Sequence, residues 1–187
     1  MQNTNKTILA YVSIIFSMIF WGISFVWTKE LLNANFPVFL ILTIRLAIAS
    51  LLMFTTFYLM GKLERIEKSD IPKFLLLTLF EPFLYFIGEN FSMHFVDASF
   101  AAIMIALLPI VNPIALHIFN KDKLGWNLLF GAVISVIGII IMSINPSGEL
   151  KISWQGTLLL LLAVVSGSGY GVILSRLINK YNPITIT

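Results

Sequence analysis

Residues 81–113 read EPFLYFIGENFSMHFVDASFAAIMIALLPIVNP, and their reading decides what kind of molecule this is. Two strongly apolar segments, 71–87 and 98–119, carry a carboxylate (Glu81), a Pro-x-x-x-Pro pair (Pro109 and Pro113) and an asparagine (Asn112). A charge at the centre of a bilayer costs roughly 2.5 to 3.5 kcal/mol on insertion scales, so one that persists usually faces a protein-lined cavity and has a partner. Glu81 is therefore the first candidate site residue. The two prolines point the same way: each removes a backbone donor and frees a carbonyl that lipid cannot satisfy but a neighbouring helix or a ligand can.

The whole chain agrees with this stretch. Of 187 residues, 58% are hydrophobic and only 11% charged, and the mean hydropathy is +0.94. Such a composition belongs to an all-α, polytopic membrane protein. At about 20 apolar residues per crossing the length holds six helices with short connections. With no cysteine, disulfides, thiolate metal sites and cysteine nucleophiles are excluded. No basic run with interleaved aromatics supports a nucleic-acid partner; the expected partners are the lipid bilayer and a small-molecule substrate.

Six spans follow from the apolar runs. The first, 7–27, is longer than a signal-peptide core and has no Ala-x-Ala-like cleavage site after it, so it reads as a retained span. A turn at Asn33-Ala34-Asn35 leads to the second span, 37–60, which has Pro37 in its first turn and Arg45 inside it. Asp70 is a plausible N-cap for the third span, with Pro72 in its opening turn. The third span fades through Glu89, Asn90 and His94, and the fourth runs from about Asp97 to Phe119. The fifth, 125–144, stops at Asn145-Pro146-Ser147-Gly148, a turn by composition. The sixth is 154–178.

Lysine and arginine set the orientation. Lys6, Lys62, Arg65, Lys68, Lys73, Lys121, Lys123, Arg176 and Lys180 fall on one side, and Lys29 and Lys151 on the other. The excess places the N-terminus and the end of the sixth span in the cytoplasm, in the cell membrane. Trp27, Trp126 and Trp154 sit near span ends, as an aromatic belt expects.

Depth along ideal helices puts Arg45 about 12 Å in from the outer surface and Glu81 about 15 Å in from the cytoplasmic one. Within a core of about 30 Å the two share nearly the same level, which puts a direct ion pair within reach, either lining a substrate or proton path or tying two helices together. Tyr85, Glu89 and Asn90 continue from Glu81 on a drifting helical stripe. Glu89 reads more simply as an interfacial carboxylate at the end of its span. Asn112 either binds a ligand or satisfies the carbonyls released by the prolines. Trp21, Tyr85, Phe86 and Tyr170 near the expected cavity suit an amphipathic substrate.

The ladder Ala98, Ala102, Ala106 and the pair Gly167 and Gly171 read as packing faces. Residues 167–171 fail the spacing of a nucleotide loop, and His94 and His117 have no second ligand at metal spacing, so neither a cofactor nor a metal is expected. No nucleophile, base and orienting group stand together, so an enzyme is not expected.

Trp21-Gly22, Lys29 and Asn35-Phe36-Pro37 are echoed by Tyr170-Gly171, Arg176 and Tyr181-Asn182-Pro183. A repeat of five helices is odd, so its second copy starts from the opposite side, the inverted arrangement of many secondary transporters. Residues 1–145 then form one repeat, and 146–187 the linker and first helix of another. At these residues the sequence resembles the EamA family of the drug/metabolite transporter superfamily. The resemblance is carried by Trp21-Gly22, by Arg45 with Ala47 and Ala49, by Asn90 and Asp97-Ala98-Ser99-Phe100-Ala101-Ala102 leading to Pro109, and by Gly131 and Gly138. It implies a ten-helix secondary transporter, often an exporter of amino acids or other metabolites, working by alternating access around a central cavity between two inverted halves. The chain stops where a seventh helix should start, so the expectation is that it lacks transport as a lone monomer and requires a missing C-terminal half or a homodimer. The competing expectations are a non-transporting helix-packing component, or an inactive fragment of a ten-helix transporter.

Overall fold

The polar turns of the sequence are where the helices stop. The computed structural model describes residues 2–121, 123–143 and 153–187; the turn expected at 145–148, the proposed domain boundary at 145/146, Asp122 and Lys151 lie outside the described residues. Helix α1 (Gln2–Asn33) ends in the expected turn, where Asn35 takes the left-handed conformation at φ 63°. Helix α2 (Val38–Leu59) begins after Pro37 and ends at Gly61, whose φ of 62° lets the Lys62 amide reach back to the Phe57 carbonyl at 3.1 Å. That six-to-one bond satisfies a carbonyl the helix leaves open, and glycine adopts the required conformation without a Cβ penalty.

The third span is not one helix. It consists of α3 (Ile71–Thr78), a widened segment at Leu79–Leu84, and α4 (Tyr85–Ser92). Proline at 82 disfavours helical backbone at the residue before it and removes an amide donor. Glu81 accordingly is extended, at φ −141° and ψ 126°, in the middle of the span. The fourth span is also broken, into α5 (Ala98–Ile105) and α6 (Leu108–Asn120), one residue before Pro109. Helices α7 (Trp126–Ser143), α8 (Trp154–Leu177) and the short α9 (Pro183–Ile186) follow.

Among the described residues five stretches are long and apolar enough to cross a membrane: Thr7–Asn33, Val38–Leu59, Lys68–Ser92, Ala98–Asn120 and Trp154–Leu177. The fifth expected span, 125–144, corresponds to α7, apolar and 18 residues long over the described residues, at the lower end of the roughly 17 to 25 a crossing uses. Trp27, Trp126 and Trp154 are all exposed.

Helix α8 is the centre of the bundle, packed against α3, the widened segment, α4, α5 and α6. Small residues allow this. A Cβ on Gly88 of α4 would lie 2.5 Å from the Leu159 carbonyl oxygen, and one on Gly167 would lie 2.8 Å from Leu108 Cδ2. The alanine ladder is less central than expected: Ala106 is exposed, and the face of α5 that reaches the core is Ala101, Met104 and Ile105. Helices α1 and α2 bury little and present broad apolar faces outward, which suits lipid.

The two ends of the bundle are fastened by polar contacts. At one end Lys29 donates to the Met93 and Val96 carbonyls at 2.5 and 3.0 Å, placing a cation at the C-terminus of α4. At the other, the 62–70 loop is bound to the segment after α8. Asp70, expected as an N-cap, makes no side-chain cap bond; its carboxylate accepts from Lys73 at 2.7 Å, Lys180 at 2.6 Å and Tyr181 at 2.8 Å. Glu67 also accepts from Lys180 at 2.6 Å, and Glu64 accepts from the Asn182 amide at 2.7 Å. The Asp70 and Glu67 hydrogen bonds hold the Lys180 ammonium above the usual lysine range.

Candidate functional site

The inward face of α2 runs Val38, Leu42, Arg45, one helical turn after another. Above the buried Leu42, the Arg45 guanidinium lies over the Phe86 ring at 4.8 Å from the centroid, a contact worth about 0.5 to 2 kcal/mol depending on desolvation. Its Nη1 is buried and has no hydrogen-bond partner. Tyr85 meets Phe86 edge-on at 5.3 Å and is itself buried. One turn further along α4, Glu89 and Asn90 are 1% and 0% exposed. The Asn90 amide donates to the Phe86 carbonyl at 2.8 Å, leaving its oxygen unpaired, and both Glu89 oxygens and the Tyr85 hydroxyl are unpaired as well. Tyr85 and Glu89 are close enough to interact but do not close a hydrogen bond, and the charges of Arg45 and of Glu81 both act on the pair.

Beside this cluster a cavity of about 630 Å³ lies between α2 and the widened segment, α8 and α9. Leu46, Ala49 and Met53 form one wall, Glu81, Pro82 and Tyr170 another. The extended backbone at Glu81 sits in that wall, and its carboxylate has no hydrogen-bond or ion-pair partner among the described residues.

The six expected site residues do not form one site. Arg45 and Tyr85 belong to the buried cluster; Glu81 and Tyr170 line the cavity, and Phe86 borders both. Asn112 packs against Gly171 so closely that a Cβ there would overlap its carboxamide, and its oxygen is buried without a partner. Trp21 packs on Phe25 at 6.1 Å in the apolar core cluster, away from the cavity lining.

The expected Arg45–Glu81 ion pair is not formed. The ion pairs among the described residues are Lys73–Asp70, Lys180–Glu67 and Lys180–Asp70. Glu81 has extended backbone, so an ideal helix does not say where its side chain points even where it gives its level. Glu89 is also corrected: it is a buried member of the cluster, not an interfacial carboxylate, because α4 is drawn tightly against α8 at Gly88. Pro82 is the signal that marks the break and that a hydropathy reading passes over.

Long apolar helices enclosing unpaired polar groups and an acidic cavity define a polytopic membrane protein with a polar interior. The chain belongs to the EamA-like transporter family, whose model matches residues 8–144. It is similar to an uncharacterized transporter of Archaeoglobus fulgidus, 28% identical over 177 residues, covering 95% of this chain and 61% of the relative. It is also similar to two uncharacterized transporters of Bacillus subtilis. YdfC is 28% identical over 176 residues, 94% of this chain and 56% of YdfC; YcxC is 27% identical over 180 residues, 95% and 57%. The chain thus spans about three fifths of the length of these curated relatives. No solved structure matches it.

Proposed function

We propose that this chain contributes the substrate-binding half of a secondary transporter that exports small metabolites, such as amino acids or amphipathic compounds, across the cell membrane by alternating access. The observation that carries this reading is the set of six buried polar atoms that have no partner among the described residues, on Arg45, Tyr85, Glu89, Asn90 and Asn112, beside a cavity of about 630 Å³. Each unpaired buried group costs about 1 to 3 kcal/mol, a cost that a structural cluster avoids by pairing its members and a substrate path carries so that a polar guest can relieve it. Cytoplasmic placement of the 62–70 loop follows from its lysines and arginine, and its bonds to Lys180 and Asn182 support one side for both segments.

The test is flux in proteoliposomes that hold residues 1–187 together with a second five-helix half, using a panel of labelled amino acids and aromatic metabolites. Saturable counterflow of at least one compound, lost in Arg45→Gln, is expected. Absence of saturable flux across the panel, or flux indifferent to Arg45, would refute the reading.

A further inference from the structure

We propose that the cavity beside Glu81 selects an amphipathic organic cation; the proposal deepens the transporter reading and rests on it. The charged residues that line the cavity are Glu64 and Glu81, and among the described residues no lysine, arginine or histidine lines it. Lys73 is bound to Asp70, Lys180 to Asp70 and Glu67, and Arg45, over Phe86 in the adjoining cluster, is not among the lining residues. Glu64 already accepts the Asn182 amide. Glu81 has no such partner, and it stands in a wall where lipid-depth burial makes a lone carboxylate expensive.

Around the two carboxylates stand four aromatic rings, Phe54, Phe57, Phe86 and Tyr170. Ring faces attract a desolvated cation and also take up apolar groups, so one molecule with a positive centre and an apolar body satisfies both parts of the lining. An anion would meet two carboxylates, and a neutral guest would leave Glu81 unpaired. The volume of about 630 Å³ falls within the range of sites for drug-sized ligands, about 300 to 1,000 Å³.

Tetraphenylphosphonium and tetraphenylborate, nearly equal in size and opposite in charge, make the test. Equilibrium dialysis is run on the full chain in detergent, against protein-free micelles. The expected result is saturable binding of the phosphonium and none of the borate, with Glu81→Gln weakening the phosphonium by about tenfold or more. Glu81→Asp should retain saturable binding, and Glu64→Gln should change it less than Glu81→Gln does. Circular dichroism melting establishes that each variant is folded; if Glu81→Gln is not, the comparison of phosphonium with borate on the unsubstituted chain and on Glu81→Asp decides. Borate bound as tightly as phosphonium, or phosphonium binding unchanged in folded Glu81→Gln, overturns the cation assignment and leaves the transporter reading in place. Saturable binding of neither probe overturns the assignment and removes the cavity as the substrate site. Phosphonium binding with no flux in the proteoliposome assay would instead count against transport alone.

Discussion

Replacing Gly88 by alanine inserts one methyl group where α4 and α8 touch. The new Cβ would lie 2.5 Å from the Leu159 carbonyl oxygen, 3.0 Å from the Ala163 amide nitrogen and 3.2 Å from Ala163 Cβ. The two nearest atoms are backbone and cannot rotate away. Restoring an ordinary contact of 3.4 Å requires the helices to part locally by about 0.9 Å, and overpacking of this kind costs about 1 to 3 kcal/mol. Against this stands the gain of about 1 kcal/mol that alanine brings to any helix interior. Gly138→Ala on α7 supplies the control, since among the described residues no atom lies within 4 Å of its Cβ position and only the propensity gain remains. The difference between the two substitutions cancels the propensity and isolates the clash, so Gly88→Ala should be less stable than Gly138→Ala by about 1 to 3 kcal/mol. Unfolding in mixed micelles titrated with dodecyl sulfate, followed by tryptophan fluorescence, measures both. Equal stabilities within about 0.5 kcal/mol, the usual scatter for independent sites, would refute the close approach of α4 to α8.

Arg45→Gln and Glu89→Gln should be coupled by about 0.5 to 3 kcal/mol in a double-mutant cycle, more strongly than Arg45→Gln and Glu81→Gln, which form no ion pair; the reverse order would restore the direct Arg45–Glu81 pair. Lys180→Met should lower the melting midpoint by releasing the 62–70 loop. Because its partners raise the Lys180 pKa, this contribution is complete below the ordinary lysine value of about 10.4 and is lost only as pH climbs through the elevated one. The gap between wild type and Lys180→Met should therefore stay constant from about pH 6 to 9 in melting curves, and a gap that closes near neutrality would contradict the ion-pair origin. The chain has no cysteine of its own, so a single introduced thiol reports sidedness. A cysteine at exposed Ala34 should react with an impermeant maleimide applied outside intact cells and one at exposed Arg65 should not; the opposite pattern would invert the topology.

The long spans are legible in the sequence because each is a local property, a run of apolar residues bounded by Asn35, Gly61 or Asn120. The Glu81 break is local too, since Pro82 states it. Reading Glu81 by hydropathy alone treats the span as one continuous helix, and the extended backbone at Glu81 breaks the helical face on which its pairing was argued. Burial of Glu89 and Asn90 is a different matter. It depends on where α8 lies, a helix beginning at Trp154, and no periodicity within residues 85–92 reveals that neighbour. Trp21 and Tyr170 look alike as aromatics followed by glycine, yet one packs in the apolar core cluster and the other lines the cavity, a distinction made by tertiary packing alone. Lys29 reads as an ordinary outer-loop charge and proves to hold two carbonyls of a helix end more than sixty residues away.

The central position of α8 has a consequence for how the protein is made. Helix α8 is the latest-synthesised of the five long apolar stretches, and it is the one that covers Tyr85 and Gly88 on α4 and Leu108 on α6. At about 5 to 20 residues per second, the ribosome needs on the order of 3 to 15 s to go from the end of α4 to the middle of α8. For that interval α3 to α6 sit in the bilayer without the surface they are shaped to meet, and the small-residue face of α4 is open to any neighbouring helix. A crowded membrane offers many such neighbours, so this interval is when mispairing threatens most. Pausing of translation between α7 and α8 would lengthen it, and nascent chains arrested there should crosslink from position 88 to insertion-machinery helices instead of to their own.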